Sequence, residues 1–219
     1  MSNAPRPAKN VEKFLHKLNM SKILSKNIFT SGEAALKSLQ KNTYGENFYH
    51  LGPKRDKDLF QNFKQNQKNI EEAEFILCTG FLDNKEDSLK YYEKLLKEYT
   101  HLKMICTNPD LIVNRGDKQE YCAGTLAEVF KSLGGEVIYF GKPHPEIYNF
   151  CVKKNETILV IGDNIRTDIK GANNMKLDSL FIINGIHKKD FINLQKQDYD
   201  KVLEKYKVNT NYYQKELIW

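Results

Sequence analysis

The chain has 219 residues, 40% of them apolar, 28% charged and 11% aromatic, and its 34 basic residues outnumber its 28 acidic ones for a net charge of +6. That balance excludes a disordered chain, which would combine low hydrophobicity with high charge, and no apolar run nears the roughly 20 residues of a membrane-spanning helix. The basic residues are mostly lysines spread along the whole chain, so the charge reads as a solvated surface and argues against nucleic acid as a partner.

From the N-terminus, Met1 to Asn10 shows no apolar stretch after its charges, and so no secretory core. Val11, Phe14, Leu15 and Leu18 fall at helical spacing, which predicts a helix packed on a sheet. Short apolar runs then alternate with amphipathic ones, the pattern of an α/β protein with buried parallel strands. The spacing predicts strands at residues 28–30, 48–51, 75–79, 104–107, 137–140, 157–161 and 180–183. Helices are predicted around Leu89, Tyr92, Leu95 and Leu96, and around Leu126, Val129, Phe130 and Leu133, the latter stopped by Gly134-Gly135. Pro145 opens another helix. The closing residues from Asn209 carry no clear pattern, although Leu217, Ile218 and Trp219 suggest a docked end. Cys78, Cys106, Cys122 and Cys151 match neither zinc-ligand spacing nor a disulfide scaffold, and read as free thiols in a reducing cytosol. A cytoplasmic location is therefore expected.

Two stretches carry chemistry. In Ile158-Leu159-Val160-Ile161-Gly162-Asp163-Asn164-Ile165-Arg166-Thr167-Asp168-Ile169 a buried strand ends at a glycine, and carboxylates follow where sheet-end loops of α/β folds bind ligands. Asp163 and Asp168 on one loop suit a hard cation such as Mg²⁺. A strand-to-helix turn in which Asp168 caps the helix fits the spacing equally well. In Val137-Ile138-Tyr139-Phe140-Gly141-Lys142-Pro143-His144-Pro145 a lysine leaves a buried strand on a loop stiffened by two prolines, a suitable clamp for phosphate. His144 reads as a turn residue.

Together these stretches resemble the haloacid dehalogenase superfamily, in which a lysine motif precedes an acidic Gly-Asp-x-x-x-x-Asp motif. Ser2-Asn3-Ala4-Pro5-Arg6-Pro7, Thr30-Ser31-Gly32-Glu33-Ala34, His50-Leu51-Gly52-Pro53-Lys54-Arg55-Asp56, Cys106-Thr107-Asn108-Pro109-Asp110 and Tyr121-Cys122-Ala123-Gly124 extend the likeness to its class IIA, nitrophenylphosphatase-like branch. The resemblance implies a Rossmann-like core with an inserted α/β cap: residues 1–66 core, 67–138 cap and 139–219 core. It implies Mg²⁺-dependent hydrolysis of a small phosphorylated metabolite. Lys142 would steady the phosphoryl group, Ser2 would hydrogen-bond it, and Asp163 and Asp168 would form the metal site. Asn3, Asn108 and Asp110 would contact substrate.

The family attacks phosphate with the first aspartate of an Asp-x-Asp-Gly motif, and the chain contains none. Neither Asp-x-Asp in the chain is followed by glycine: Asp56-Lys57-Asp58 has Leu59 there, and Asp198-Tyr199-Asp200 has Lys201, follows no strand and reads as a solvated helix face. The expectation is a phosphatase-like chain shortened at its N-terminus, with a weakened Mg²⁺ site and no activity alone. Its alternative is a non-catalytic phospho-ligand-binding protein or a subunit of a split enzyme. A lost first strand would also leave edges exposed near Ile28 and Ile161, inviting self-association or a separately encoded N-terminal fragment.

Overall fold

The computed structural model describes residues 1–85, 88–116, 118–153 and 155–218. It divides into two compact units, Met1–Gly141 and Lys142–Trp219. No helix among the described residues is long and apolar enough to cross a membrane.

In the first unit, β1 (Phe48–Leu51), β2 (Phe75–Cys78), β3 (Lys103–Cys106) and β6 (Glu136–Tyr139) form one parallel sheet in the order β1-β2-β3-β6. The inner strands are short apolar runs buried on both faces, and their alternation sorts two cores. Ile76, Cys78, Met104 and Cys106 face α3 (Leu89–Lys97) and α4 (Ala123–Ser132), where Tyr92, Leu96, Leu126 and Phe130 pack. Phe75, Leu77 and Ile105 point the other way, onto Ala34, Ala35 and Leu39 of α2 (Ser31–Leu39) and onto Leu59 and Phe60. Thr30 starts α2 with a side chain that accepts the Glu33 N–H, the N-cap expected of Thr-x-x-Glu. Between β3 and α4, β4 (Ile112–Arg115) and β5 (Lys118–Tyr121) pair antiparallel as a separate hairpin.

In the second unit, β7 (Leu159–Gly162), β8 (Asp178–Ile182) and β9 (Tyr212–Gln214) form a parallel three-stranded sheet in that order. α5 (Pro145–Cys151), α6 (Lys170–Met175) and α7 (Tyr199–Lys205) complete it. Phe181, Phe191, Val202 and Leu203 fill its core.

The structure departs from the sequence expectations at definite places. Residues 28–30 form no strand: Thr30 makes a single bridge with Ser2 before its side chain turns to capping α2. α1 (Ala8–Lys17) forms as the spacing predicts but buries none of its residues, leaving Phe14 57% exposed. Strand β1, placed by the sequence with the core, pairs along its whole length with β2, placed with the cap. A boundary at residue 66 would cut one sheet in two. The hairpin goes unpredicted because Asn114, Arg115, Lys118, Gln119 and Glu120 give it no apolar signal. Leu217 and Ile218 are exposed rather than docked, and Trp219 lies outside the described residues.

Candidate functional site

The acidic motif is built on β7. The strand ends at Gly162, where a Cβ would come within 2.2 Å of Asp168 Cγ, so only glycine lets that carboxylate fold back over the strand end. Residues Ile165–Ile169 make a wide π-type turn, a form that recurs at functional sites. The Asn164 carbonyl accepts from both the Asp168 and the Ile169 N–H. Asn164, not Asp168, supplies the cap, its side chain accepting the Arg166 N–H at 3.0 Å. Asp168 instead takes Lys142 Nζ on Oδ1 at 2.5 Å and the Asn164 N–H on Oδ2 at 3.2 Å. The side chains of Lys142 and Asp168 are 15% and 9% exposed, so water screens this pair poorly. Asp163 Oδ2 accepts the Ile186 N–H at 3.0 Å, and Gly185 lies so close that a Cβ would meet Asp163 Cβ at 2.1 Å.

Those contacts bear on metal binding. Both oxygens of Asp168 are taken, one by an ammonium, whereas among the described residues Asp163 keeps Oδ1 open. No cluster of three His, Cys, Asp or Glu side chains is present among the described residues. Asp163 therefore fits a hard cation as a single ligand, and Asp168 fits better as the counter-ion of Lys142 than as the second ligand expected from the spacing.

The first unit has a cavity of about 320 Å³ lined by Ser2, Asn3, Asn108 and Asp110 among others. Ser2 Oγ accepts the Ala4 N–H at 3.2 Å, which orients the hydroxyl and leaves its proton for donation. Asn3 Nδ2 donates to Asp110 Oδ1 at 3.2 Å, and the Asp110 N–H donates to Asn108 Oδ1 at 3.1 Å. Both asparagines are buried. Gly124 permits this turn, since a Cβ there would strike the Pro109 carbonyl at 2.4 Å. Ser31 Oγ ties the segment beneath, its one proton directed at the Thr107 carbonyl at 2.5 Å with the Ala4 carbonyl 3.1 Å away.

The second unit thus brings Lys142 to Asp168, with Asp163 on the same loop. The first unit gathers Ser2, Asn3, Asn108 and Asp110 about one cavity. Sequence reasoning missed other residues of that lining: Arg6, Arg55, Asp56, Thr79, Phe81 and Tyr121. Phe81 and Tyr121 stack with centroids 5.8 Å apart. Asp56 is buried, and burial pushes its carboxyl up to about 6 although Arg6, Arg55 and Thr79 pull it down. His50 donates to or accepts from Thr79 Oγ1 at 2.9 Å, and burial pushes its imidazole down to about 4. The available signal was the motifs themselves, which carry Arg6, Tyr121 and, a few residues after the end of β1, Arg55-Asp56. The cysteines behave as packing residues: Cys78, Cys106 and Cys122 are buried and free, and burial pushes the Cys78 thiol up to about 12.

Residues 139–207 match a family described as HAD-hydrolase-like. The ribonucleotide monophosphatase NagD of Escherichia coli (strain K12) is 32% identical over 94 residues, a match that covers 41% of this chain and only 37% of that relative. A haloacid dehalogenase-like hydrolase from Brucella suis 1330 superposes with a TM-score of 0.82 at 28% identity, covering all of this chain and 82% of the other. The p-nitrophenyl phosphatase from Archaeoglobus fulgidus follows the same fold, with a TM-score of 0.70 at 16% identity over 98% of this chain and 80% of its own.

Proposed function

We propose that this chain is a member of the haloacid dehalogenase superfamily in its class IIA branch and that it binds a small phosphate monoester and supplies the electrostatic part of phosphoryl transfer, the attacking carboxylate coming from a segment outside these 219 residues. The observation that carries this reading is the Lys142–Asp168 pair at the end of β7. A lysine held by a buried carboxylate keeps its ammonium in one place, so it meets developing phosphoryl charge without reorganising. In this reading Lys142 of the second unit steadies a phosphoryl group, and Ser2 in the first unit's cavity has a hydroxyl proton to offer. Asn3, Asn108 and Asp110 shape the cavity around the substrate. Mg²⁺, held in part by Asp163 Oδ1, would neutralise phosphoryl charge. We also assign the sheet β1-β2-β3-β6 and its hairpin to the cap, and the second unit to the core.

A chain of these residues alone is expected to bind and not to turn over, because covalent catalysis needs a free carboxylate as nucleophile. Both Asp-x-Asp pairs are otherwise engaged: Asp56 pairs with Arg6 and Asp58 accepts Asn10 Nδ2 at 2.9 Å, while Asp198 holds Lys201 Nζ at 2.8 Å, Asp200 accepts the Tyr213 hydroxyl, and Tyr199 between them is buried. That engagement favours the second reading, a phospho-ligand-binding protein or a subunit of a split enzyme. The test is p-nitrophenyl phosphate hydrolysis with Mg²⁺, by the chain alone and with an added segment carrying Asp-x-Asp-Gly. Background rates alone and turnover on addition, abolished by Lys142→Ala, are expected. Turnover by the chain alone that disappears in Asp163→Ala would show that another residue attacks.

A further inference from the structure

One wall of the first unit's cavity carries charged residues to which the proposed function gives no role. Arg6, Arg55 and Asp56 stand on it. The Asp56 side chain is 2% exposed and that of Arg6 is 32% exposed, with Oδ1 and Nε 3.1 Å apart. What a ligand meets there is guanidinium, with its counter-ion behind. Both Arg6 Nε and Asp56 Oδ1 are buried without a hydrogen-bond partner among the described residues, so their contact is an ion pair whose N–H is not aimed at the oxygen. Arg55 also stands near enough to favour the charged form of Asp56.

Arg6 is fixed from its backbone. Thr30 Oγ1 donates to the Arg6 carbonyl at 2.6 Å, and a Cβ on Gly32 would meet Arg6 N at 2.7 Å. Thr79 bonds the Asp56 carboxyl and, from the other side, His50. Of the other carboxylates in the lining, Asp110 is held by Asn3. A carboxylate buried this deeply is costly unless it is used, and a guanidinium braced at Nε still offers its terminal nitrogens as a fork for a planar or tetrahedral anion.

We propose that Arg6, positioned by Asp56, binds an anionic group, a carboxylate or a second phosphate, on the leaving group of the phosphate monoester. This rests on reading the cavity as a phosphate-ester site. Arg6 contacts the ligand, and Asp56 acts through Arg6.

Calorimetric titration of the full chain with ethyl phosphate, phosphoglycolate and ethane-1,2-diyl bisphosphate tests it. One of the two doubly anionic esters should bind about 10- to 100-fold tighter than ethyl phosphate, the span expected of one charge-assisted contact, and which one it is tells carboxylate from phosphate. Arg6→Gln should shrink that gap to under about 3-fold. Arg6→Lys keeps a charge beside Asp56 and should still lose most of the gap, because it lacks the fork. Asp56→Asn should narrow the gap with Arg6 in place, an effect on selectivity that a purely structural role would not produce. Equal affinity for all three esters, or a gap that survives both Arg6 variants, overturns the inference and leaves the phosphate-ester site standing. No binding of any ester overturns both.

Discussion

The two parallel sheets bury their strands to different degrees. In the first unit β2 is flanked on both sides, and Ile76, Leu77 and Cys78 are wholly buried. In the second unit β7 lies at the edge of its sheet, with Leu159 45% and Ile161 36% exposed. Each unit also sets a buried aspartate in an ion pair with a basic side chain, and here the order reverses. Asp168 has a closely packed lysine and a backbone N–H, whereas Asp56 has a loosely aimed arginine that is one-third exposed. The second unit thus concentrates its order at the motif loop and leaves its strand edge open, while the first concentrates order in its sheet and leaves a charged pair unsettled at its cavity.

The largest effect should come from breaking the tighter ion pair. Lys142→Ala leaves Asp168 buried without its counter-charge and should cost about 3–5 kcal/mol. Adding Asp168→Asn should recover a large part of that loss. Denaturant unfolding of the two single variants and the double variant measures the coupling, and additive costs would show that the pair does not stabilise the loop.

Next comes the sheet contrast. Ile76→Ala in β2 should cost about 2–5 kcal/mol through lost burial and a residual cavity. Ile161→Ala on the half-exposed edge should cost under about 1 kcal/mol. Hydrogen exchange should likewise find the amides of β2 and β3 better protected than those of β7. Equal costs and equal protection would mean that the edge strand is covered in solution.

A pH titration sharpens the contrast at the cavity, because the two groups bonded to Thr79 respond in opposite senses. The folded state holds Asp56 at about 6 against an ordinary 3.8, so it favours the proton. Its contribution is fully present below pH 3.8 and is lost as pH rises through about 6. His50 is held at about 4 against 6.5, so its contribution is present above pH 6.5 and is lost as pH falls through about 4. Each amounts to roughly 3 kcal/mol at most, so between pH 4 and 6 they nearly cancel. In Asp56→Asn stability should rise across that window, and in His50→Gln it should fall. Melting temperature against pH reads both slopes, and parallel slopes would break the assignment.

Legibility in the sequence followed the same division. Buried strands were readable because continuous apolar runs such as Phe75–Cys78 leave few alternatives, and the lysine and acidic motifs because a glycine ends each strand before them. The partner of Asp168 was not readable, since only the π-type turn shows that its carboxylate folds back to Lys142 instead of capping a helix. The place of β1 was not readable either, because strand pairing between Phe48 and Phe75 leaves no mark in spacing. Arg6 and Asp56 lie 50 positions apart, and nothing local announces that they meet. The exposed hairpin carries its cavity residues on polar strands, where apolar periodicity says nothing.

The smallest expected effect is the most telling about the open edge. Leu159 stands 45% exposed on β7 and β7 has a strand on one side alone among the described residues. Leu159→Thr keeps a residue suited to a strand and removes an apolar side chain that is only half withdrawn from water, so stability should change by no more than about 0.5 kcal/mol. The same substitution should lower any self-association, because an unpaired edge with apolar side chains recruits further strands. Sedimentation across a range of chain concentrations, run beside the unfolding measurement, separates the two effects. A cost above about 2 kcal/mol that grows with chain concentration would show that a second copy covers β7, and the same cost without concentration dependence would show that the chain itself does.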